Sequence, residues 1–254
     1  EAELSYRKAI EIKPDLAEAH FNLGNILKDI GNLKEAEFST RKAIEIKPDY
    51  AKAHFNLGNI LKDIDKLKEA EFSYRKAIEL KPNLAEAHSN LGNILKDIGK
   101  LQDAEFSYRK AIEIKPSFAD AHYNLGNILK DLGNFADAIN HYKHALKSNN
   151  ELSFAKSDLI ETTASICDWS DQETHKIWLD SLGIEGKPVC PWGLFSIEDN
   201  PLKHLKRSKK FYKENHTRPT KHLKSSKKNI IHIGYFSADF RNHPVMQLIA
   251  PLLE

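Results

Sequence analysis

Cysteine is almost missing from this sequence, with only Cys167 and Cys190 in 254 residues. Two thiols so far apart form no Cys-x-x-Cys pair and favour a reducing, cytoplasmic compartment over a disulfide scaffold. Long hydrophobic runs are absent as well. No stretch approaches the roughly eighteen consecutive apolar residues of a membrane-spanning helix, so no membrane partner is expected. Neither sign of charge dominates, at 38 Lys and Arg against 36 Asp and Glu. There is also no opening Met and no signal-like start. Glu1 falls inside a repeat, so the sequence is expected to continue upstream. At 41% hydrophobic content the chain suits a soluble protein with more than one structural unit.

What is present is a repeat. Pro14, Pro48, Pro82 and Pro116 recur every 34 residues, as do Gly24, Gly58, Gly92 and Gly126. Two alanine sets keep the same step: Ala36, Ala70, Ala104 and Ala138, then Ala43, Ala77, Ala111 and Ala145. Each unit holds two helical patterns around a Gly-Asn turn, the first over 17–30 and the second over 34–46 in the first full copy. Pro48 disfavours helix at the residue before it, which ends the second helix. Gly24 and Ala36 let the two helices approach, and Leu23, Leu27, Ala43 and Ile44 supply apolar contact. Neither helix hides its apolar face alone, so stacked neighbours must bury a continuous core. By period and by this small/large pattern the chain resembles the tetratricopeptide-repeat (TPR) family. A half-repeat (1–16) precedes four full ones at 17–50, 51–84, 85–118 and 119–152. The expected fold is a mainly α TPR solenoid over 1–152.

In a TPR stack the first helix of each unit lines the concave face. Here it carries Asn22, Asn56, Asn90 and Asn124, and one turn on Asn25, Asn59, Asn93 and Asn127. Asn is a mediocre helix former, so eight on one face need a reason. Packed helices lie about 8–10 Å apart and an extended chain rises about 3.3 Å per residue. One Asn per repeat therefore meets an extended peptide about every third residue. A carboxamide both donates and accepts, so it pairs with backbone amides without reading side chains. Recent duplication would also produce such recurrence. Against it, neighbouring positions have drifted: Glu18, Lys52, Glu86 and Asp120 occupy one place, Phe21, Phe55, Ser89 and Tyr123 another. The expected partners are acceptor proteins or extended peptides. A Lys- and Arg-rich clamp for acidic tails is not evident, and the repeated Lys28-Asp29 pairs read as solvated charges.

Beyond 152 the period fails. Residues 153–182 read as two helices broken near Asp168-Trp169-Ser170, with Ser170 as N-cap and Glu173 as its capping-box partner. A turn-rich connector (183–201) leads into a helix over about 200–215. From 203 to 228 there are eleven Lys or Arg against one acid, Glu214. Without a nucleic-acid motif, and with little aromatic interleaving, this reads as a solvated basic helix and linker. Residues 153–229 are thus a helical junction and linker. In 230–254 an apolar β-rich run, Ile230 to Phe236, meets a polar loop and then a helix starting at Pro244. That is the opening of an α/β unit, and a lone strand pairs its backbone with nothing. The segment is expected to be the truncated edge of a second domain.

At GYFSADFRNHP (234–244) the chain closely resembles the start of the catalytic domain of TPR-bearing O-linked N-acetylglucosamine transferases. The Cys167-Asp168-Trp169 triplet and the Pro-containing connector fit the same family's junction. The resemblance implies a Rossmann-like glycosyltransferase domain and transfer of N-acetylglucosamine from UDP-GlcNAc to protein Ser or Thr. It also implies an asparagine groove holding acceptor backbone and an active-site histidine at His243. A histidine beside a helix N-terminus sits where phosphate or sugar oxygens approach, and near neutral pH it can shuttle a proton. No metal and no cofactor beyond that donor are implied. The nucleotide-sugar pocket is built from later segments of the family's domain, so these residues alone are expected to be inactive. Two alternatives stand beside it: a non-catalytic TPR interaction scaffold, and a related enzyme that transfers fucose.

Overall fold

The computed structural model describes residues 1–194 and 197–215, which form twelve α-helices. The first is α1 (Ala2–Ile12). Four pairs follow: α2 (Ala17–Asp29) with α3 (Leu33–Ile46), α4 (Ala51–Asp63) with α5 (Leu67–Leu80), α6 (Ala85–Asp97) with α7 (Leu101–Ile114), and α8 (Ala119–Asp131) with α9 (Phe135–Ser148). Then come α10 (Ser153–Ser165), α11 (Gln172–Ser181), a short 3-10 turn (Trp192–Leu194) and α12 (Pro201–Asn215). No strand occurs among the described residues. The segment expected as strand, loop and helix (230–254), with His243, lies outside them.

Each pair closes where the sequence puts its smallest residues. Gly58, Gly92 and Gly126 face the rings of Tyr74, Tyr108 and Tyr142, and a Cβ at these glycines would come within 2.6–2.7 Å of the ring. Ala36, Ala70, Ala104 and Ala138 are fully buried against the same helices. One core cluster runs from Leu57 through Leu91 and Leu125 to Leu159, joining three repeats to α10. This continuity stabilises helices that no single pair would hold.

Successive first helices touch: α2 meets α4, and α6 meets α8. The second helices instead reach across with long side chains, Arg7 to Glu35 and Arg41 to Glu69, each at 2.7 Å. Close approach on one side and long reach on the other curves the stack, with first helices inside.

Two expectations are corrected. The period does not end at 152, because α10 starts 34 residues after α8 and packs on α9 as the first helix of a further, incomplete repeat. Ala155 and Leu159 keep the buried places of Ala121 and Leu125, but Ile160 replaces Gly126, which hid the relation. Nor does Ser170 cap α11. Its backbone N–H donates to Asp168 Oδ1 at 3.0 Å in an Asx turn, and the helix begins one residue later, with Asp171 as N-cap.

Candidate peptide-binding face

The asparagines of the first helices are joined into a network with the second helices. Tyr74 donates to Asn59 Oδ1 at 2.8 Å, and Asn90 of the next repeat donates its Nδ2 to that same oxygen at 2.9 Å. One repeat on, Tyr108 and Asn124 donate to Asn93 Oδ1 at 2.7 and 3.1 Å. Tyr142 donates to Asn127 Oδ1 at 2.8 Å. With the hydroxyl and the neighbouring amide both donating, each shared atom is a carboxamide oxygen that accepts twice. Burial raises the pKa of Tyr74, Tyr108 and Tyr142, keeping the phenols protonated as donors.

The consequence is a fixed polarity. Asn59 and Asn93 have spent their oxygens, and their Nδ2 groups donate to no side chain among the described residues. Asn90 and Asn124 have spent one N–H each and keep their oxygens. All four are half-buried. Each junction thus offers an amide donor and an amide acceptor side by side, the complement of a peptide's C=O and N–H.

The network is incomplete at both ends. In the first full repeat Thr40 stands where the others have tyrosine, and no bond joins Asn25 to Asn56. Thr40 Oγ1 and Asn56 Nδ2 are buried without partners, while Asn22 and Asn25 are half-buried. At the other end the rung residues become acidic: Asp158 follows Asn124 by 34 residues and Glu161 follows Asn127. Asp158 accepts from Tyr123 at 2.8 Å and from Lys130 at 3.0 Å. Burial alone would lower the Lys130 pKa, but Asp158 and Glu161 outweigh it and raise it. Of the eight asparagines, Asn59, Asn93 and Asn127 accept and Asn90 and Asn124 donate, two bonding roles that spacing alone did not separate.

A second recurring bond went unnoticed in the sequence although its residues are periodic. His20, His54, His88 and His122 each donate Nε2–H to the carbonyl of Pro14, Pro48, Pro82 and Pro116 at 2.9 Å. A carbonyl only accepts, so the ε tautomer is set, and each bond ties an inter-repeat turn to the helix after it.

Repeat profiles cover this region without a gap. A TPR-repeat profile matches 1–31, 58–99 and 92–133, and two tetratricopeptide-repeat profiles match 17–50 with 119–151, and 40–72. Residues 1–151 belong to the tetratricopeptide-repeat family. The TPR profiles reach none of 234–244. No curated protein matches the chain. Among solved structures it is similar to MamA, at 28% identity over 59% of this chain and 87% of that one, with a TM-score of 0.56. YrrB, described as a TPR protein with an unusual peptide-binding site, is 20% identical over 80% of this chain and 97% of that one, TM-score 0.60. PilF of Pseudomonas aeruginosa is 21% identical over 78% and 86%, TM-score 0.63. At these identities YrrB and PilF speak to the TPR fold alone.

After the TPR stack, α12, expected as a solvated basic helix, is held by one of its own arginines. Arg207 is fully buried; it donates to the carbonyls of Leu179 and Leu182 and pairs with Glu198. Among the described residues no group of three or more His, Cys, Asp or Glu is placed to hold a metal ion. None of their helices is long and apolar enough to cross a membrane.

Proposed function

We propose that the TPR stack is a protein-interaction module that holds an extended polypeptide by its backbone, along the inner face of the first helices. One observation carries this reading: the carboxamides at each junction are locked so that a donor, Asn59 or Asn93, lies beside an acceptor, Asn90 or Asn124. An extended chain offers both groups at every residue, whatever its side chains. Fluorescence anisotropy with an unstructured peptide tests it. Asn90→Ala with Asn124→Ala is expected to weaken binding at least about tenfold, and N-methylation of the peptide backbone should do the same. Binding indifferent to both changes would sink the reading.

A second reading joins this module to chemistry, on the strength of Gly234-Tyr235-Phe236-Ser237-Ala238-Asp239-Phe240-Arg241-Asn242-His243-Pro244. On it, the chain belongs to an enzyme that moves N-acetylglucosamine from UDP-GlcNAc to Ser or Thr of the bound polypeptide, with His243 at the active site. Full-length gene product, UDP-sugars and a protein mixture decide it. Transfer of N-acetylglucosamine that collapses in His243→Ala supports enzyme and residue together. Transfer that survives keeps the enzyme and removes the role, transfer of fucose changes the sugar, and no transfer leaves the interaction module.

A further inference from the structure

Histidine recurs at one place in every full repeat but is paired in only one of them. His20, His54, His88 and His122 make the same bond to a proline carbonyl, which fixes the proton on Nε2 and leaves a lone pair on Nδ1. In the first three full repeats the residue 19 positions on is Ser39, Ser73 or Ser107. Ser73 and Ser107 give their hydroxyls to the backbone carbonyls of Glu69 and Asp103. In the last full repeat His141 takes that place, and its Nδ1 lies 3.0 Å from Nδ1 of His122. His122 is buried and His141 half-buried, so the pair is anchored on one side and open to solvent on the other. His144 is a neighbour of another kind. Its ring stacks on His122 at 5.2 Å and 16°, turning a face to that ring instead of a nitrogen.

We propose that the His122–His141 pair binds a divalent transition metal ion of the zinc type, which takes the place of the proton lying between the two nitrogens. That proton moves to Nε2 of His141, so both rings stay neutral. Two nitrogens held at about 2.0–2.1 Å from zinc stand about 2.9–3.4 Å apart for coordination angles of about 90–110°, and the separation here falls within that range. The terminal torsion of a histidine is soft, and a turn of the His141 ring aims both lone pairs at one point. The bond from His122 Nε2–H to the Pro116 carbonyl is the outer support that metal-bound imidazoles commonly carry. Burial lowers the pKa of both rings, so at neutral pH no imidazolium has to give up a proton before the metal binds. Arg109 of α7 and Asp137 of α9 act on His141 with opposite signs and offset one another. Two imidazoles select Zn²⁺, Ni²⁺ or Cu²⁺ over Mg²⁺ and Ca²⁺, which take oxygen ligands. Among the described residues no third donor is placed, so water completes the shell. The ion joins α8 to α9. His122 and Asn124 lie two residues apart, about 200° around α8, so the asparagine face stays open.

Isothermal titration of the chelator-treated full chain with Zn²⁺ at pH 7 tests the proposal, together with thermal unfolding with and without the ion. The wild type is expected to bind Zn²⁺, and its unfolding midpoint should rise with Zn²⁺ but not with Mg²⁺. His141→Ser installs the residue of the other repeats, so far-UV circular dichroism should be unchanged. It should weaken Zn²⁺ binding at least about tenfold and abolish the rise in midpoint. His144→Lys, which likewise installs the residue of Lys42, Lys76 and Lys110, should behave as the wild type does. A wild type that binds no Zn²⁺, or binding and midpoint shifts equal in wild type and His141→Ser, overturns the proposal. Binding lost in His144→Lys overturns it too.

Discussion

Tyr74 lies over Gly58, which leaves room for its ring, and gives its hydroxyl to Asn59 Oδ1 at 2.8 Å on the same helix as that glycine. One side chain thereby fills the gap between two helices and orients the Asn59 carboxamide on the first-helix face. Tyr108→Phe, at the next junction, keeps the ring and removes the bond. Chemical denaturation should show a loss of about 0.5–1.5 kcal/mol, and peptide affinity should fall because Asn93 is no longer held from two sides. Gly92→Ala should cost more, about 1–3 kcal/mol, because its new Cβ would lie 2.7 Å from the Tyr108 ring.

Thr40 is the counter-case. Its hydroxyl is buried without a partner, and an unmade buried hydrogen bond costs about 1–3 kcal/mol. Thr40→Val removes the hydroxyl and keeps the shape, so a stability gain on the order of 1 kcal/mol is expected in thermal unfolding. A loss would show that the hydroxyl is satisfied by water.

The turns inside the pairs offer a backbone test. Gly31, Gly99 and Gly133 have φ of 79–82°, and Asp65 occupies the same place at φ 62°. Left-handed backbone costs a side-chain-bearing residue about 1 kcal/mol or somewhat more, which Asp reduces in part by local bonding. Asp65→Gly should raise the denaturation midpoint, and Gly99→Ala, which has open space around it, should lower it through φ alone.

Stability should depend on pH through the last full repeat. His122 Nδ1 and His141 Nδ1 are 3.0 Å apart, and His144 stacks on His122. Since His122 Nε2–H is donated to Pro116, its Nδ1 accepts from His141 while both rings are neutral. Burial lowers the His122 pKa, opposed by the Pro116 bond. Burial, with His122, Arg109 and His144, lowers His141 to about 4, Asp137 opposing. Both folded values lie below the unfolded value of about 6.5, so the unfolded chain binds more protons between them. Stability is therefore full above about pH 6.5 and falls as pH drops toward 4. His141→Ser, the residue at Ser39, Ser73 and Ser107, should flatten that slope in denaturation measured at pH 7 and pH 5.

Arg207 anchors α12 without solvent exposure. Removing one partner of a buried pair costs about 3–5 kcal/mol. Arg207→Ala should expose α12 to trypsin at its lysines while leaving the protection of the repeats unchanged, because repeat contacts run only between neighbours.

How much of this was legible varied with the range of the interaction. The 34-residue period, the helix pairs and the shared face of Asn22 to Asn127 follow from local rules: proline ends helices, and small residues mark close approach. The membership of α10 did not, because Ile160 erased the glycine signal while Ala155 and Leu159 kept the packing. Ser170 lies in an Asx turn closed by Asp168, one residue ahead of the N-cap Asp171. Arg207 looked like one more solvated cation, since nothing in a basic run tells which member meets a carboxylate and two carbonyls.

By itself the sequence determined the repeat, because period and residue size are written along the chain. It also determined the resemblance at 234–244, whose residues stand outside those the structure describes. Tertiary structure alone decided the bonding roles of the asparagines. Asn59 and Asn90 are the same residue type in equivalent helices. Only the meeting of two helices with the next repeat places a tyrosine hydroxyl and a neighbouring amide on one oxygen, leaving Asn59 with its amide N–H groups and Asn90 with its oxygen.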